Sequence, residues 1–309
     1  MYDLAIIGGG PAGVAAGVYA SRKRLKTVFI TKDWESQSTV SEGIENWIGT
    51  VKIAGSDFAK SLEGHLRAYA ADIVDIKTGE YCKKVSKIGG ADDAGFEIAT
   101  ETATYRAKTV LIATGSRRRK LDVPGADVFE HKGITYCASC DGPVFAGQDV
   151  AVIGGGNAAF ESAAQLLAYC KSVTLLNRSE EFRADPVTVK KVLQNPKMRA
   201  ITNAKLAKVK GGKFVKSLTY TNESGETIEL PVSGIFAEIG SIPATDFAKD
   251  LVTIDPFGRV VVDARTQATS VPGVWAAGDC TDGLYHQNNI AAGDAVKALE
   301  DIYVYIHAK

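Results

Sequence analysis

The chain has 309 residues, with 36 basic side chains against 36 acidic ones, 45% hydrophobic residues and 31 glycines. This length corresponds to about two domains, and the ordinary apolar content excludes a mainly disordered chain. Zero formal net charge provides no general basic field for nucleic acid or anionic lipid. No apolar run reaches the ~18 residues of a membrane span. We therefore expect a folded protein with no nucleic-acid or membrane partner, and the glycine content points to special backbone turns.

The N-terminal segment and the cysteines bear on the cellular compartment. The apolar stretch from Leu4 to Ala20 resembles the core of a signal peptide, but Asp3 precedes it and the run Gly8-Gly9-Gly10-Pro11 interrupts it. Five cysteines in a chain of this length do not form a disulfide framework, and an odd number leaves at least one thiol free. We expect a cytoplasmic protein in a reducing environment.

A strand, a glycine turn and a helix follow one another twice along the chain. The first set comprises a strand at 2–7, a turn at 8–13, a helix from 12 to about 21 and a strand at 27–30. The second set comprises a strand at 149–153, glycines at 154–156, a helix of small residues to 170 and a strand at 172–177. Apolar strands ending on Gly115 and Gly240 close the two sets. The pattern predicts two related α/β domains that arose by internal duplication.

The C-terminal segment is too short to form a third domain with its own core. It contains predicted strands at 251–254 and 258–263, an apolar run at 271–279 and a long helix from about 289 to 307. We infer that this segment completes the first domain. The predicted domains are therefore 1–116 with 244–309, and an inserted domain at 117–243, joined by hinges near Ser116 and Pro243.

The first glycine turn has the G-x-G-x-x-G pattern of a dinucleotide-binding site, formed by Gly8, Gly10 and Gly13. The glycines permit a tight turn and close approach of a pyrophosphate, whose charge faces the N-terminus of the following helix. Pro11 suits that helix start, where its missing N–H is not needed. A purely structural strand–helix junction is the alternative, but the strand–turn–helix context favours binding.

The second glycine turn has Gly154 and Gly156, with Ala159 at the third position, which is an accepted variant. Two dinucleotide fingerprints in one chain predict two dinucleotides, and FAD with a nicotinamide nucleotide is the simplest pair.

The residues after the second strand of this set bear on the choice of nicotinamide nucleotide. An acid at this place binds the ribose 2′-hydroxyl, whereas arginines bind a 2′-phosphate. The sequence has Asn177 and Arg178, with Arg183 close behind. This favours NADPH, although NADH is not excluded and the arginines also suit a solvated helix start.

Cys137 and Cys140 form a C-x-x-C motif followed by Asp141. A zinc site needs four ligands, and the other cysteines and histidines show no ligand spacing, so we predict no metal site. A redox-active dithiol fits better, because two thiols this close can form a disulfide and a lowered thiolate pKa makes one of them reactive. Asp141 is either a general acid–base group for a thiolate or an exposed turn residue before Gly142.

The two fingerprints and the intervening C-x-x-C-D motif together resemble the low-molecular-weight, bacterial-type thioredoxin reductases over nearly the whole chain. Further motifs with this resemblance are Glu45-Asn46-Trp47-Ile48-Gly49, Ala113-Thr114-Gly115, Phe182-Arg183-Ala184, Ala276-Ala277-Gly278-Asp279 and His286-Gln287-Asn288. The segments 141–157 and 271–274 look closer still to the flavoprotein subunit of alkyl hydroperoxide reductase. The resemblance implies an α/β fold with two Rossmann-like, three-layer ββα dinucleotide-binding domains of the pyridine nucleotide-disulfide oxidoreductase type.

The resemblance also implies functional residues. Cys140 would lie against the flavin, Cys137 would attack the protein substrate, and Asp141 would be the acid. The implied FAD-binding residues are Gly8, Gly10, Pro11, Ala12, Gly13, Glu35, Gln37, Asn46, Thr114, Gly115, Gly278, Asp279, His286, Gln287 and Asn288. The implied nicotinamide-nucleotide residues are Gly154, Gly156, Asn157, Ala158, Ala159, Asn177, Arg178, Arg183, Ile239 and Gly240.

Three segments depart from the family pattern. The family's Gly-Gly-Gln near the flavin is Glu35-Ser36-Gln37 here, its His-Arg-Arg for the 2′-phosphate is Asn177-Arg178-Ser179, and its Arg before Gln is His286. The second departure weakens the expectation of NADPH.

The implied activity is that of an FAD-dependent disulfide reductase, which passes electrons from NAD(P)H through FAD and the Cys137–Cys140 disulfide to a thioredoxin-like protein. Members of the family are homodimers. In the predicted domain arrangement the C-x-x-C motif and the nicotinamide site lie on the same inserted domain, yet both must reach the flavin, so we expect this domain to rotate about Ser116 and Pro243. The alternatives are a ferredoxin-driven thioredoxin reductase, an NADH-driven reductase of a peroxiredoxin system, a flavin-dependent thiol oxidase and a non-catalytic flavin-binding redox sensor.

Overall fold

The computed structural model describes residues 1–34, 36–39, 41, 43–89 and 94–308. The chain forms two compact units, Met1–Arg117 with Ile242–Lys309, and Arg118–Ser241. We call them unit 1 and unit 2. The predicted domain limits differ from these by one residue at the first connection and by two at the second. In the described part of the chain, no helix has both the length and the apolar character needed to cross a membrane.

The N-terminal part of the chain supplies most of unit 1. Its elements are β1 (Tyr2–Ile7), α1 (Pro11–Arg22), β2 (Thr27–Thr31), α2 (Gly55–Ala70), β3 (Val74–Thr78), β4 (Cys82–Ile88), β5 (Gly95–Thr100) and β6 (Thr104–Ile112). The strand β7 (Ser116–Arg118) contains the boundary, and its last residue, Arg118, belongs to unit 2. The fully buried strand β2 and the helix α1, rich in small residues, follow the predicted pattern.

The middle of the chain forms unit 2. Its elements are β8 (Ile134–Thr135), α3 (Ala138–Asp141), β9 (Asp149–Ile153), α4 (Asn157–Leu166), β10 (Ser172–Leu176), α5 (Pro186–Leu193), β11 (Met198–Ile201), β12 (Lys205–Gly211), β13 (Val215–Thr221), β14 (Thr227–Pro231) and β15 (Gly234–Ala237). The remaining elements are β16 (Ser241–Pro243), β17 (Val274–Ala276) and α6 (Asn288–His307).

The sheet of unit 1 has the strand order β3-β2-β1-β6-β5-β4, and β17 also pairs with β6. Strands β3, β2, β1, β17 and the second half of β6 are parallel to their neighbours, whereas β4 and β5 run antiparallel. Leu4 and Ile6 pack in a core with α1, α2 and α6, while Ala5 and Ile7 pack on the opposite face with residues of β4 and β5. This alternation within one strand places helices on one face of the parallel sheet and β-structure on the other.

Unit 2 repeats this architecture. Its sheet has the order β11-β10-β9-β15-β8, and every pairing in it is parallel. Val150 and Val152 of β9 pack against α4, whereas Ala151 and Ile153 pack against the antiparallel meander β12-β13-β14. The predicted α/β fold with two three-layer domains is therefore present, and each glycine turn lies at the carboxyl end of a central parallel strand.

Some predicted element bounds are wrong. Helix α4 ends at Leu166 rather than Cys170, because the following residues form turns, and the Tyr169 carbonyl accepts the Gly147 N–H. The strands predicted at 251–254 and 258–263 are only isolated bridges, of which one joins Ile254 to Val260. A turn at 256–258 separates the two residues, and the Asp255 N–H donates to the Arg259 carbonyl inside it, so the segment forms a turn with a bridge rather than two strands.

Candidate redox and dinucleotide sites

Two glycines in the turn of unit 1 pack directly against backbone carbonyl groups. Gly8 has a φ of +122°, which favours glycine, and a Cβ there would lie 2.2 Å from the Ala113 carbonyl oxygen. A Cβ on Gly13 would lie 1.8 Å from the Gly8 carbonyl oxygen. These two glycines are therefore required by the turn and by the packing of α1 on the strand.

Gly10 is glycine for a different reason. Its φ of −78° and ψ of −174° suit any residue, and a Cβ there would have no heavy atom of the described residues within 4 Å. The N-cap residue of α1 is Gly10 itself, which has no side chain to cap the helix that starts at Pro11, so the cap leaves the N–H groups of the first turn to another acceptor. A bound pyrophosphate accounts for both observations, because it needs close backbone approach and a positive helix end.

The glycine turn of unit 2 has the same geometry. Gly154 has a φ of +148°, and a Cβ there would lie 2.3 Å from the Glu238 carbonyl oxygen. Gly156 has a φ of −97° and ψ of −177°, and in the part of the chain that the structure describes no heavy atom would lie within 4 Å of a Cβ there. Helix α4 starts at the next residue, Asn157, without a side-chain cap. This second turn fits a second dinucleotide.

Several predicted FAD-binding residues of unit 1 meet although they are far apart in sequence. Gln37 Nε2 lies 3.3 Å from Asp279 Oδ2, and Asn46 Nδ2 donates to Gln287 Oε1 at 3.1 Å. Asn288 Oδ1 accepts a hydrogen bond from the Ser38 hydroxyl at 2.9 Å. The loop before α2 and the N-terminus of α6 therefore form one polar surface.

The remaining predicted FAD-binding residues lie at strand ends or beside α1. A Cβ on Gly278, which has a φ of +77°, would lie 3.4 Å from the Ala12 Cβ. Gly115 also has a positive φ, and the Thr114 hydroxyl donates to the Ala244 carbonyl. The Nε2 atom of His286 is buried and has no hydrogen-bond partner within the described ranges, so a bound group can satisfy it. Glu35 lies outside the described residues.

Asn177 organises the loop that was predicted to choose the nicotinamide nucleotide. Its side chain is buried, and Nδ2 donates to the carbonyls of Ser179 and Glu181, both at 2.9 Å. The Arg183 N–H donates to the Gly155 carbonyl at 2.7 Å, which fixes the end of the loop against the glycine turn. The side chains of Arg178 and Arg183 are exposed. Asn177 thus shapes the loop, and the two arginines remain available to a ligand.

The other predicted nucleotide-binding residues surround the same turn. Asn157 Oδ1 accepts the Asp185 N–H at 2.7 Å, Ala158 is exposed, and Ala159 is buried. Ile239 and Gly240 are exposed after β15, at the neighbouring strand end.

A disulfide joins Cys137 and Cys140, whose Cα atoms are 5.3 Å apart. Cys137 is the N-cap residue of α3, and its Sγ accepts the Cys140 N–H at 3.2 Å. This contact places a backbone N–H donor at the Cys137 sulfur. Cys140 is the more exposed of the two.

The three other cysteines are buried and free. Burial raises the pKa of the Cys82 thiol to about 12 and that of the Cys280 thiol to about 11. It also raises the pKa of the Cys170 thiol. These thiols are therefore poor nucleophiles, and the reactive pair is Cys137 with Cys140.

Asp141 follows the disulfide and is partly buried. Burial raises the pKa of its carboxyl, while a hydrogen bond from the Thr135 hydroxyl and the nearby His131 act in the opposite direction. The raised pKa brings a carboxyl closer to the range in which it can donate a proton. This favours the acid–base interpretation over that of an exposed turn residue.

Sequence reasoning missed Thr135 and Glu238 as parts of these sites. Thr135 contacts Asp141 from β8, two residues before the motif. Glu238 Oε1 accepts a hydrogen bond from the Ser162 hydroxyl at 2.6 Å, and Oε2 lies 3.7 Å from Arg118 Nη1. The available signal for Glu238 was an acidic residue directly after a fully buried strand.

Comparison with known proteins identifies the family. A model of the pyridine nucleotide-disulphide oxidoreductase family matches residues 2–295. The chain belongs to this family. Membership implies FAD and a nicotinamide nucleotide as cofactors, in agreement with the two glycine turns.

Individual relatives bear the same family relationship. The chain is 36% identical to NADH dehydrogenase of Bacillus subtilis over 307 residues, covering 99% of this chain and 58% of that protein. It is 39% identical to the F subunit of alkyl hydroperoxide reductase from Pseudomonas aeruginosa over 302 residues, covering 96% and 57%. The chain thus spans little more than half of these relatives.

A solved structure of thioredoxin reductase from Streptococcus pyogenes matches with a TM-score of 0.89 and 32% identity, covering 100% of this chain and 99% of that one. The predicted fold class and the predicted family resemblance are confirmed.

Proposed function

We propose that the protein is a disulfide reductase that uses FAD, a nicotinamide nucleotide and the Cys137–Cys140 pair to reduce a thioredoxin-like protein. The observation that carries the proposal is the Cys137–Cys140 disulfide, followed by the partly buried Asp141, in a chain with two glycine turns that each leave open space for a ligand. The similarity to a thioredoxin reductase structure and to the F subunit of alkyl hydroperoxide reductase supports it.

In this proposal unit 1 holds FAD. Gly10 and the start of α1 receive the pyrophosphate, and the polar surface formed by Gln37, Asp279 and the residues at the start of α6 contacts the rest of the cofactor. When bound, FAD accepts two electrons from the nicotinamide nucleotide and delivers them to the disulfide.

The cysteines have separate roles in the exchange reaction. The Cys137 thiolate attacks one sulfur of the partner's disulfide, which forms a mixed disulfide and releases one partner thiolate. The Cys140 thiolate then attacks the Cys137 sulfur, which restores the Cys137–Cys140 disulfide and releases the second partner thiolate. Asp141 donates a proton to a departing thiolate and is reprotonated by water. The backbone hydrogen bond to Cys137 Sγ supports its role as the attacking group.

We propose NADPH as the electron donor. Arg178 and Arg183 are exposed beside the second glycine turn, and the strand-end acid that binds a ribose 2′-hydroxyl is replaced by Asn177. One observation favours a second candidate, an NADH-driven reductase of a peroxiredoxin system: the similarity to the F subunit of alkyl hydroperoxide reductase and to NADH dehydrogenase. We further propose that the protein is cytoplasmic and homodimeric.

Anaerobic titration of the flavin-loaded protein tests the proposal. We expect NADPH to bleach the flavin absorbance at lower concentration than NADH. We also expect two electrons to reduce each Cys137–Cys140 disulfide to two thiols. A preference for NADH would favour the second candidate. Bleaching by neither nucleotide would contradict both, and bleaching by a reduced ferredoxin alone would indicate a ferredoxin-driven enzyme. Net oxidation of dithiols by oxygen would indicate a thiol oxidase.

A further inference from the structure

Glu238 is a buried acid that connects three segments around the glycine turn of unit 2. Its carbonyl oxygen lies against Gly154, its Oε1 accepts the Ser162 hydroxyl of α4, and its Oε2 lies 3.7 Å from Arg118 of β7. Only 5% of its side chain is exposed. The proposed electron-transfer route does not involve the Glu238 carboxyl.

The order of the strands places Glu238 on a defined side of the bound nucleotide. In sheet order, β10 lies on one side of β9 and β15 on the other, with the glycine turn directly after β9. A dinucleotide lies across the carboxyl ends of such strands, with its adenosine ribose at the end of the strand that follows the turn helix. That strand is β10, which ends before Asn177. The nicotinamide half therefore extends to the β15 side, where Glu238 directly follows the strand.

The charges around Glu238 leave it incompletely neutralised. Arg118 is its ion-pair partner, at a distance longer than a hydrogen bond, and the Ser162 hydroxyl is neutral. Burial is the main cause that raises the pKa of Glu238, and the like charge of Glu161 on α4 adds to it, whereas the Ser162 hydroxyl and Arg118 lower it. A positive charge arriving nearby would stabilise the ionised carboxylate. The nicotinamide ring is cationic when oxidised and neutral when reduced.

We propose that the Glu238 carboxylate determines which oxidation state of the nicotinamide nucleotide unit 2 prefers, by stabilising the oxidised, cationic ring relative to the reduced one. This inference rests on the proposed nucleotide site. The carboxylate would therefore favour oxidation of the reduced nucleotide, which transfers its electrons to the flavin. Such a role differs from holding the fold together, because a purely structural residue would affect the two oxidation states equally.

Calorimetric titration of the full, flavin-loaded chain tests the inference, with NADP⁺ as the cationic probe and tetrahydro-NADPH as the neutral probe that cannot donate electrons. In Glu238→Gln, which keeps the shape and can still contact Ser162, we expect the affinity for NADP⁺ to fall about tenfold. This is the size of the interaction of two unit charges roughly 12 Å apart at an effective dielectric constant of about 20. The affinity for tetrahydro-NADPH should stay within about twofold. Glu223→Gln, at an exposed turn of the same unit, is the matched control and should change neither.

The pH dependence gives a second measurement. In the wild-type chain the preference for NADP⁺ should decline as pH falls and Glu238 becomes protonated, whereas in Glu238→Gln it should be flat. An equal loss of affinity for both probes, or an unchanged ratio, would show the inference to be wrong while leaving the nucleotide site intact. If the wild-type chain binds neither probe, and binds neither NAD⁺ nor tetrahydro-NADH, both the inference and the proposed function are wrong.

Discussion

The hydroxyl of Thr135 donates a hydrogen bond to the carboxylate of Asp141, the acid that follows the redox disulfide. This bond favours the ionised carboxylate and opposes the burial that raises its pKa. In Thr135→Val the donor is lost, so we expect the pKa of Asp141 to rise further. If protonated Asp141 is the acid for the departing thiolate, the activity should then extend to higher pH. Disulfide reduction measured across a pH series checks this shift.

The control for Thr135→Val is Thr227→Val, which changes an exposed threonine at the start of β14 in the same unit. It should leave the pH profile in place. Asp141→Asn should lower the rate about 10²-fold or more at pH values where wild-type Asp141 is protonated, and by less at higher pH, as expected for loss of a general acid. An unchanged profile in Thr135→Val would argue against Asp141 as the acid.

Substitution of Gly10 or of Gly156 by alanine should impair one dinucleotide site and leave the other intact. Both backbones suit alanine, and neither Cβ would come within 4 Å of an atom in residues 1–34, 36–39, 41, 43–89 or 94–308, so both variants should fold. We expect Gly10→Ala to purify with little FAD but to bind NADPH, and Gly156→Ala to keep its FAD but to bind NADPH weakly. Flavin absorbance and nucleotide binding provide the measurements.

Gly13→Ala is the contrasting variant for these alanine substitutions. Its Cβ would collide with the Gly8 carbonyl, so it should lose thermal stability as well as FAD. Normal FAD content in Gly10→Ala would contradict the assignment of the open space to the pyrophosphate.

The choice of electron donor should depend on Arg178 and Arg183. If these exposed arginines contact a 2′-phosphate, each change to alanine should weaken NADPH binding about tenfold, the size of a charge-assisted hydrogen bond, and leave NADH binding within about twofold. Arg199→Ala, at an exposed arginine of β11, serves as the control. Equal weakening of both nucleotides would indicate a loop-shaping role instead.

The two cysteines should give different spectra after single substitution. In Cys137→Ser the remaining Cys140 thiolate should produce a long-wavelength absorption band with the flavin, once any mixed disulfide is reduced. In Cys140→Ser the band should be absent. The opposite result would reverse the proposed roles, with Cys140 as the group that attacks the partner.

Asp255 should contribute to stability in a pH-dependent way. Its Oδ1 accepts the N–H groups of Phe257 and Arg259, and its Oδ2 lies 2.7 Å from both Arg259 Nε and Nη2. Burial alone would raise the pKa of Asp255, but these bonds outweigh it and hold the pKa below its ordinary value. A lowered pKa in the folded state means that the stabilisation is present at neutral pH and lost as pH falls through that value.

Asp255→Asn should therefore reduce the free energy of unfolding by about 2 kcal/mol at neutral pH and by less in acid. Thermal unfolding measured at several pH values checks this dependence. Asp250→Asn changes an exposed aspartate nearby and should have little effect. A loss that stays the same in acid would assign the effect to shape rather than charge.

The sequence alone predicted the local features of this molecule well. Strands β1 and β9 have the predicted bounds, because a short apolar run before a glycine turn is a local signal. The contacts that tune the sites are not local. Ser162 and Glu238 are 76 positions apart, and Gln37 and Asp279 are 242 apart, so their pairing depends on the completed sheets. Asn177 was predicted to face the nucleotide, whereas its amide serves the loop carbonyls, a choice that only the backbone path of residues 178–181 determines.

Unit 1 can be completed only late in synthesis, because α6 and β17 are the last of its elements to be made. Ala295 and Leu299 of α6 share a core with Val14 of α1, and β17 pairs with β6. The ribosome synthesises all of unit 2, which ends at Ser241, before it makes either element. The central strands of unit 1 therefore have part of their apolar face uncovered during the time in which unit 2 can already fold. A nascent chain that stalls before residue 274 would expose that face and become a target for chaperones, although its redox disulfide segment is already complete.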